Sequence, residues 1–270
     1  MINMKHSQQR GLTLIELMVA LIISLLILAG LFTVYQSNQR GNRLNDGLMR
    51  TQENGRFAID FLIRDIRQAA FPANDVGVKS FLFQGSANNA AVAGSPNTSD
   101  VLVLRHGTIG SETQDCSGQT PTNGGNADGA NGLNNTTMNQ YDIRATRRTN
   151  NRGLAIFALF CNNTELVEGI ENMQVLYGVD TDVPFNSRDF VANQYFTFNT
   201  VPDLDGDGIT DWSRVVSLRI ALLANSVDAR TTLTSTRTFN LLDTTIPAFN
   251  DQMIRRVYTT TVLIRNNATL

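Results

Sequence analysis

The amino-terminal part of the chain contains a long apolar run that predicts a membrane-spanning helix. Residues 12–35 read LTLIELMVALIISLLILAGLFTVY, which is 24 residues with a single charge, Glu16. At 1.5 Å per residue this helix is about 36 Å long, and the hydrocarbon core of a bilayer is about 30 Å thick. The run is longer than the apolar core of a cleaved secretory signal, and no small-residue cleavage site follows it. Because Lys5 and Arg10 precede it, its start is expected on the cytoplasmic side and the remaining chain on the outer side.

The helical pattern continues beyond the membrane through residues 36–71. Apolar positions at helical spacing predict the face that packs on the rest of the protein: Phe57, Phe61, Leu62, Ile66 and Ala69. Charged residues are expected largely on the other faces: Arg56, Asp60, Arg64, Asp65 and Arg67. The Phe71–Pro72 pair predicts the end of the helix. Glycines within it favour a bend or a melted turn, since each lowers helix stability by roughly 1 kcal/mol relative to alanine: Gly41, Gly47 and Gly55.

After Pro72 the apolar positions change to the alternating pattern of strands. Short runs rich in β-branched and aromatic residues predict strands at residues 101–104, 154–160, 173–179, 215–223 and 258–264. Because no helical pattern alternates with them, a parallel sheet is not expected. Residues 84–140, rich in Gly, Asn, Ser and Thr, predict long irregular connections with one strand inside. The chain is therefore predicted to have an α+β fold, with the long helix packed on an antiparallel β-sheet and a β-rich globular domain over residues 72–270.

Composition and charge argue against several classes of function. Charged residues make up 17% of the chain, and the formal net charge of −2 gives no electrostatic footprint for nucleic acid. The basic group Arg144–Arg148, with Arg152, is interpreted as a solvated face. Only two histidines are present, His6 and His106, and the chain has neither a Gly-x-Ser-x-Gly elbow nor a pair of histidines at metal-binding spacing. A membrane-tethered periplasmic hydrolase is thus a remote alternative, restricted to carboxylate chemistry, and the protein is predicted not to be an enzyme.

Cys116 and Cys161 are the only cysteines. An isolated pair in a domain outside the inner membrane is predicted to form a disulfide, since that compartment is oxidising. A metal site there is disfavoured, because no third cysteine exists and His106 is distant in sequence.

A second cluster of candidate ligands is the segment 203–211, DLDGDGITD. Its four carboxylates, Asp203, Asp205, Asp207 and Asp211, resemble the first half of an EF-hand loop, with Gly208 at the sixth position. Arg214 stands where the final bidentate glutamate belongs, so a further ligand such as Asp180 or Asp182 would be needed. No cofactor is required by this interpretation; Ca²⁺ at the segment and a plain Asp/Gly surface turn are the two alternatives.

Glu16 is the unusual residue of the apolar run, because a carboxylate within a membrane segment is costly unless it is paired. Gly11, the apolar residues after it and Glu16 follow a short basic leader, residues 1–11. This arrangement resembles the class III signal of type IV prepilins. The resemblance implies cleavage between Gly11 and Leu12 by the prepilin peptidase and methylation of the new amino terminus. It also implies that Glu16 neutralises the terminal amine of a neighbouring subunit during assembly.

The second half of the chain indicates which family of pilins the protein resembles. The runs LVEG at 166–169, QVLYGVD at 174–180 and WSRVVSLRI at 212–220 resemble the PilW minor pilins. The resemblance implies a non-enzymatic protein that nucleates the pilus and sits at its tip. The implied partners are other minor pilins, the major pilin, the inner-membrane assembly machinery and a tip adhesin. The implied location is a single-pass inner-membrane protein with a periplasmic domain, assembled later into the pilus at the cell surface. A type II secretion pseudopilin, which shares the leader and helix, is the nearer alternative.

Overall fold

The computed structural model describes residues 13–71, 82–107, 114–119, 136–184, 188–231 and 234–266. Among these residues the single α-helix is α1 (Leu14–Gln68), which is 55 residues long. Its amino-terminal part is long and apolar enough to cross a membrane, and that part is not buried against the protein. The chain divides into two compact units, Met1–Asn45 and Asp46–Leu270.

The predicted melted turn in α1 is wrong, because the helix runs without a break through all three glycines. Two of them lie on its buried face, where the lack of a side chain lets neighbours approach closely. A Cβ atom at Gly47 would lie 2.7 Å from Cγ of Arg230, and one at Gly55 would overlap the ring of Tyr258. The Tyr258 hydroxyl also donates to the carbonyl oxygen of Thr51 at 3.2 Å. These contacts offset the low helix propensity of glycine.

The buried face of α1 agrees only in part with the predicted one, since Leu62, Ile66 and Ala69 are buried as predicted and the two phenylalanines are not. It consists of small and aliphatic residues with one acid: Gly47, Thr51, Gly55, Ala58, Leu62, Asp65 and Ile66. Phe57 and Phe61, predicted to pack, are 51% and 38% exposed, whereas Asp65, predicted to face outwards, is 7% exposed. The small residues allow a closer approach than phenylalanine would, and this rotates the contact face away from the two rings.

The helix ends at Gln68, three residues before the predicted Phe71 boundary. Ala70 follows with a left-handed φ of 62°, a conformation that commonly terminates helices, and its N–H donates to the Arg105 carbonyl at 2.9 Å. The side-chain amide of Asn266 donates to the Ala69 carbonyl at 3.0 Å. Partners from distant parts of the chain therefore satisfy the helix end.

The strands of the described residues form three antiparallel sheets, which confirms the α+β class but not the single sheet. The bounds are β1 (Ala87–Ala91), β2 (Thr98–Gly107), β3 (Thr136–Thr149), β4 (Ala155–Cys161), β5 (Thr164–Glu168), β6 (Ile170–Val179), β7 (Gln194–Phe196), β8 (Val215–Asn225), β9 (Phe239–Leu241), β10 (Thr244–Ile246) and β11 (Arg255–Leu263). One sheet has five strands in chain order, β1 to β5, one has four in the order β11-β8-β6-β7, and one pairs β9 with β10. The prediction of one strand within residues 84–140 is also wrong, because β1, β2 and the start of β3 lie there.

Side-chain hydrogen bonds join the five-stranded sheet to the four-stranded sheet. Ser99 on β2 donates to the Met173 carbonyl at 3.0 Å and accepts from the Met173 N–H at 2.9 Å. Asp100 accepts from the N–H groups of Asn89 and Val175, both at 2.7 Å. Burial raises the pKa of Asp100 to about 6, even though these two N–H groups favour its charged form. Apolar residues of both sheets and of α1 share one core around this junction.

Candidate functional site

Glu16 lies in the first turn of α1, and its side chain closes a capping box with Thr13. The Thr13 N–H and hydroxyl both donate to Oε2 of Glu16 at 2.9 Å, while the Glu16 N–H donates to the Thr13 hydroxyl at 3.3 Å. This reciprocal pattern satisfies two backbone donors that would otherwise lack partners at a helix start. The spacing Thr-x-x-Glu before an apolar run is the sequence signal that indicates this cap.

No basic residue in the described part of the chain forms an ion pair with Glu16. The side chain is exposed, and the apolar residues around it are exposed too. Within the described residues the Glu16 carboxylate is therefore hydrogen-bonded only to Thr13. Gly11 and Leu12, the predicted processing residues, lie outside the described residues.

Cys116 and Cys161 form the predicted disulfide, with their Cα atoms 6.1 Å apart. Cys161 is the last residue of β4 and is fully buried, whereas Cys116 belongs to the 114–119 loop and is half-buried. The Cys116 N–H donates to the side-chain oxygen of Asn139 on β3 at 3.0 Å. The disulfide and this hydrogen bond together hold the loop against β3 and β4.

Three of the four predicted metal-ligating carboxylates converge. One oxygen each from Asp203, Asp205 and Asp211 lies within 4.8 Å of the others, and Asp207 is not part of this group. Asp203 accepts from the N–H groups of Gly206 and Gly208, both at 2.8 Å, and these bonds lower its pKa. The N–H of Asp207 donates to Asp205 and favours its charged form. Desolvation and the nearby negative charges nevertheless raise the pKa of Asp205. Such a group of oxygen ligands suits a hard cation such as Ca²⁺.

The predicted additional ligands belong to a different group. Asp180 and Asp182 converge with Asp189 rather than with the 203–211 segment. Asp180 is fully buried and accepts from the Phe190 N–H at 3.0 Å, and Nε of Arg188 lies 3.9 Å from its carboxylate. Its charge is therefore already compensated within the protein.

Arg147, Arg148 and Arg152 are exposed, which agrees with the interpretation of this basic group as a solvated face, and two of its members also pair with acids. Arg144 pairs with Asp142 on its own strand. Arg148 pairs with Glu165 and, at 3.3 Å, with Glu168, both on β5. The pairing removes much of the positive field that the sequence cluster suggested.

Comparison with known families decides the identity of the chain. The sequence profile described as type IV pilus-assembly protein W, PilW, matches residues 132–266, which is half of the chain. The chain belongs to the PilW family. A second profile, the prokaryotic N-terminal methylation motif, matches residues 6–32 of this PilW protein. It covers the predicted cleavage site and Glu16, so the chain is a type IV pilus minor pilin that is anchored in a membrane by α1.

The PilW match begins just before β3 and includes the whole four-stranded sheet. A solved structure similar to this PilW chain is a type IV-like pilin from Thermus thermophilus, with a TM-score of 0.32 and 16% sequence identity. That similarity covers 63% of this chain and 80% of the other. Among curated proteins, none gives a significant match.

Proposed function

We propose that this PilW protein helps to nucleate the type IV pilus together with other minor pilins, remains at the pilus tip, and has no enzymatic activity. Before assembly it is a single-pass protein of the inner membrane whose globular part lies in the periplasm. Its partners in this scheme are the prepilin peptidase, the inner-membrane assembly machinery, the major pilin and a tip adhesin.

The observation that carries the proposal is the state of Glu16. It is the only charge in the 24-residue apolar run, and in the described chain its carboxylate is bonded to Thr13 alone. A carboxylate in a membrane segment is costly unless it is paired, and charge-assisted hydrogen bonds are among the strongest available. Pairing with the terminal amine of a neighbouring subunit removes this cost only in the assembly, and so favours assembly over the single subunit.

Two observations weigh against the other functions. The match to the PilW family favours a pilus protein over a type II secretion pseudopilin, because the leader and the apolar helix are common to both classes. His106, the only histidine after the leader, is 8% exposed, and burial lowers its pKa, an effect that Asp65 partly opposes. Its Nδ1 atom has no hydrogen-bond partner among the described residues, so no hydroxyl nucleophile there is bonded to that nitrogen.

The test is deletion of the gene, followed by counting of surface pili in cells with and without pilus retraction. We expect few pili in both backgrounds, because a nucleation defect does not depend on retraction. The wild-type gene should restore pili. An unchanged pilus number in the deletion strain would contradict the nucleation role, and immunolabelling along the whole filament would contradict the tip position.

A further inference from the structure

A cavity of about 260 Å³ lies between α1, β2, β3 and the 114–119 loop. At roughly 30 Å³ per water molecule it is large enough for about nine waters, and so for a long side chain. The buried part of its lining is polar: Asp65, His106, Asn139 and Tyr141. The exposed part includes Phe61 and Arg64 on the outer side of α1.

Asp65 is a buried carboxylate without a cationic partner. Asn139 donates to both of its oxygens at 2.9 Å, but no Lys, Arg or His nitrogen of the described chain lies within 4 Å of them. Burial raises the pKa of Asp65, although the bonds from Asn139, the proximity of His106 and the Tyr141 hydroxyl favour its charged form. Ionisation of a carboxyl buried in this way is costly, and a cation placed beside it would stabilise the charged form.

His106 contributes a second unsatisfied group to the same cavity. Its Nδ1 atom is buried and has no hydrogen-bond partner among the described residues. Because burial lowers the pKa of His106, the ring is neutral at physiological pH and carries one acceptor nitrogen. The cavity thus presents a carboxylate that lacks a cation and an imidazole nitrogen that lacks a hydrogen-bond partner among the described residues.

We propose that this cavity binds the ammonium group of a lysine side chain from a neighbouring pilus subunit. An ammonium is compact and has three N–H donors, so it can serve both Asp65 and His106 and supply the missing positive charge. Its aliphatic stem fits the apolar surface of Phe61 at the exposed edge. The chain itself has only Lys5, in the predicted leader, and Lys79. This inference rests on the proposed role in assembly, because a neighbouring subunit supplies the lysine.

The first test measures binding of n-butylammonium chloride to the full-length chain in non-ionic detergent by calorimetry, with n-butanol as the uncharged control. We expect saturable binding of the ammonium only, and at least tenfold weaker binding by Asp65→Asn. The Asn variant keeps an oxygen for Asn139, so it should fold. The matched control is Asp60→Asn, which removes a largely exposed acid of the same helix and should bind like wild type. Absence of binding by wild type, or equal binding by the Asp65 variant, overturns the proposal.

The second test identifies the donor by carbodiimide cross-linking of intact pili, since this reagent joins a carboxylate to an adjacent amine. We expect a cross-linked peptide between Asp65 and a lysine of another subunit, absent in Asp65→Asn. A link to Lys79 of the same chain overturns the assignment to a neighbour. The calorimetric result does not depend on pili. Saturable binding together with an unchanged pilus number after gene deletion would therefore contradict the proposed function but not the ammonium site.

Discussion

Substitutions at Glu16 and Thr13 can separate the two roles that the structure and the family give to the glutamate. Glu16→Gln keeps the capping box, since glutamine fits the same position, but removes the charge. Thr13→Ala removes the hydroxyl of the cap and keeps the charge. Glu16→Ala removes both the charge and the carboxylate acceptor.

The expected sizes of the two effects differ. Loss of a helix cap typically costs about 1 kcal/mol. Hydrogen bonds to charged groups contribute about 1.5–3 kcal/mol, which corresponds to roughly a 10–150-fold change in incorporation for one such contact. Membrane insertion should not suffer in Glu16→Gln. Glu16 lies two residues into α1, about 3 Å along its axis, where a charge costs less than at the bilayer centre. Removing this charge therefore favours membrane insertion.

The assay is quantitative mass spectrometry of the protein in purified pili, divided by its amount in the membrane pool. We expect incorporation to fall at least tenfold in Glu16→Gln and in Glu16→Ala, and to stay within about fivefold of wild type in Thr13→Ala. Wild-type incorporation of Glu16→Gln would refute charge pairing and leave Glu16 as a helix cap. Loss of membrane insertion in that variant would contradict the energetic argument.

Processing, the disulfide, calcium and pH give further predictions for the full-length chain. The mature protein should begin at Leu12 with an added methyl group, and an intact mass that retains the leader in cells with active prepilin peptidase would contradict this. Cys161→Ser should lower the free energy of unfolding by about 2–4 kcal/mol, because the bond closes a loop of 45 residues; free thiols in undenatured protein would argue against the bond. Calcium at ten times its dissociation constant should add about 1.4 kcal/mol and raise the thermal midpoint. Asp205→Asn should reduce this shift and Asp207→Asn, outside the converging group, should not; equal wild-type midpoints in calcium and in chelator would leave only a surface turn. Because the pKa of Asp100 is raised to about 6 in the folded protein, its contribution to stability is full below its unfolded pKa of 3.8 and is lost as pH rises through 6. Unfolding free energy should therefore be about 1.4 kcal/mol lower at about pH 7.5 than at about pH 5 from this group, and Asp100→Asn should lack that difference.

The parts of the fold that could be predicted are those that a local pattern specifies. The apolar run and its helical continuation predicted α1, and alternating runs predicted strands such as β6 and β8, whose central residues are buried. The strand β3 was missed although it has 14 residues, because its sequence TTMNQYDIRATRRT is mostly polar. It is held by hydrogen bonds to β2 and β4 on either side, and such pairing leaves little trace in the hydrophobic pattern.

The same limit explains the error on the face of α1. Periodicity counts phenylalanine as core and glycine as a break, yet the face that packs is the one on which Gly55 admits the ring of Tyr258, about 200 residues later in the chain. Helix propensity is local, whereas the reward for a close approach depends on a distant partner. Asp65 was predicted to face outwards for the same reason. The amide of Asn139 donates to its buried carboxylate, and no helical pattern can indicate this distant donor.

Asn139 connects two features that the sequence kept apart. Its side-chain oxygen accepts from the Cys116 N–H at 3.0 Å, and its amide nitrogen donates to both oxygens of Asp65 at 2.9 Å. The amide cannot rotate to serve one partner without losing the other, because a flip would turn its oxygen towards the carboxylate. The position of the disulfide-bonded loop therefore determines how the buried carboxylate on α1 is hydrogen-bonded. The disulfide is therefore more than a constraint on the unfolded chain. It also fixes the position of Asn139, whose amide donates to Asp65 near the end of α1.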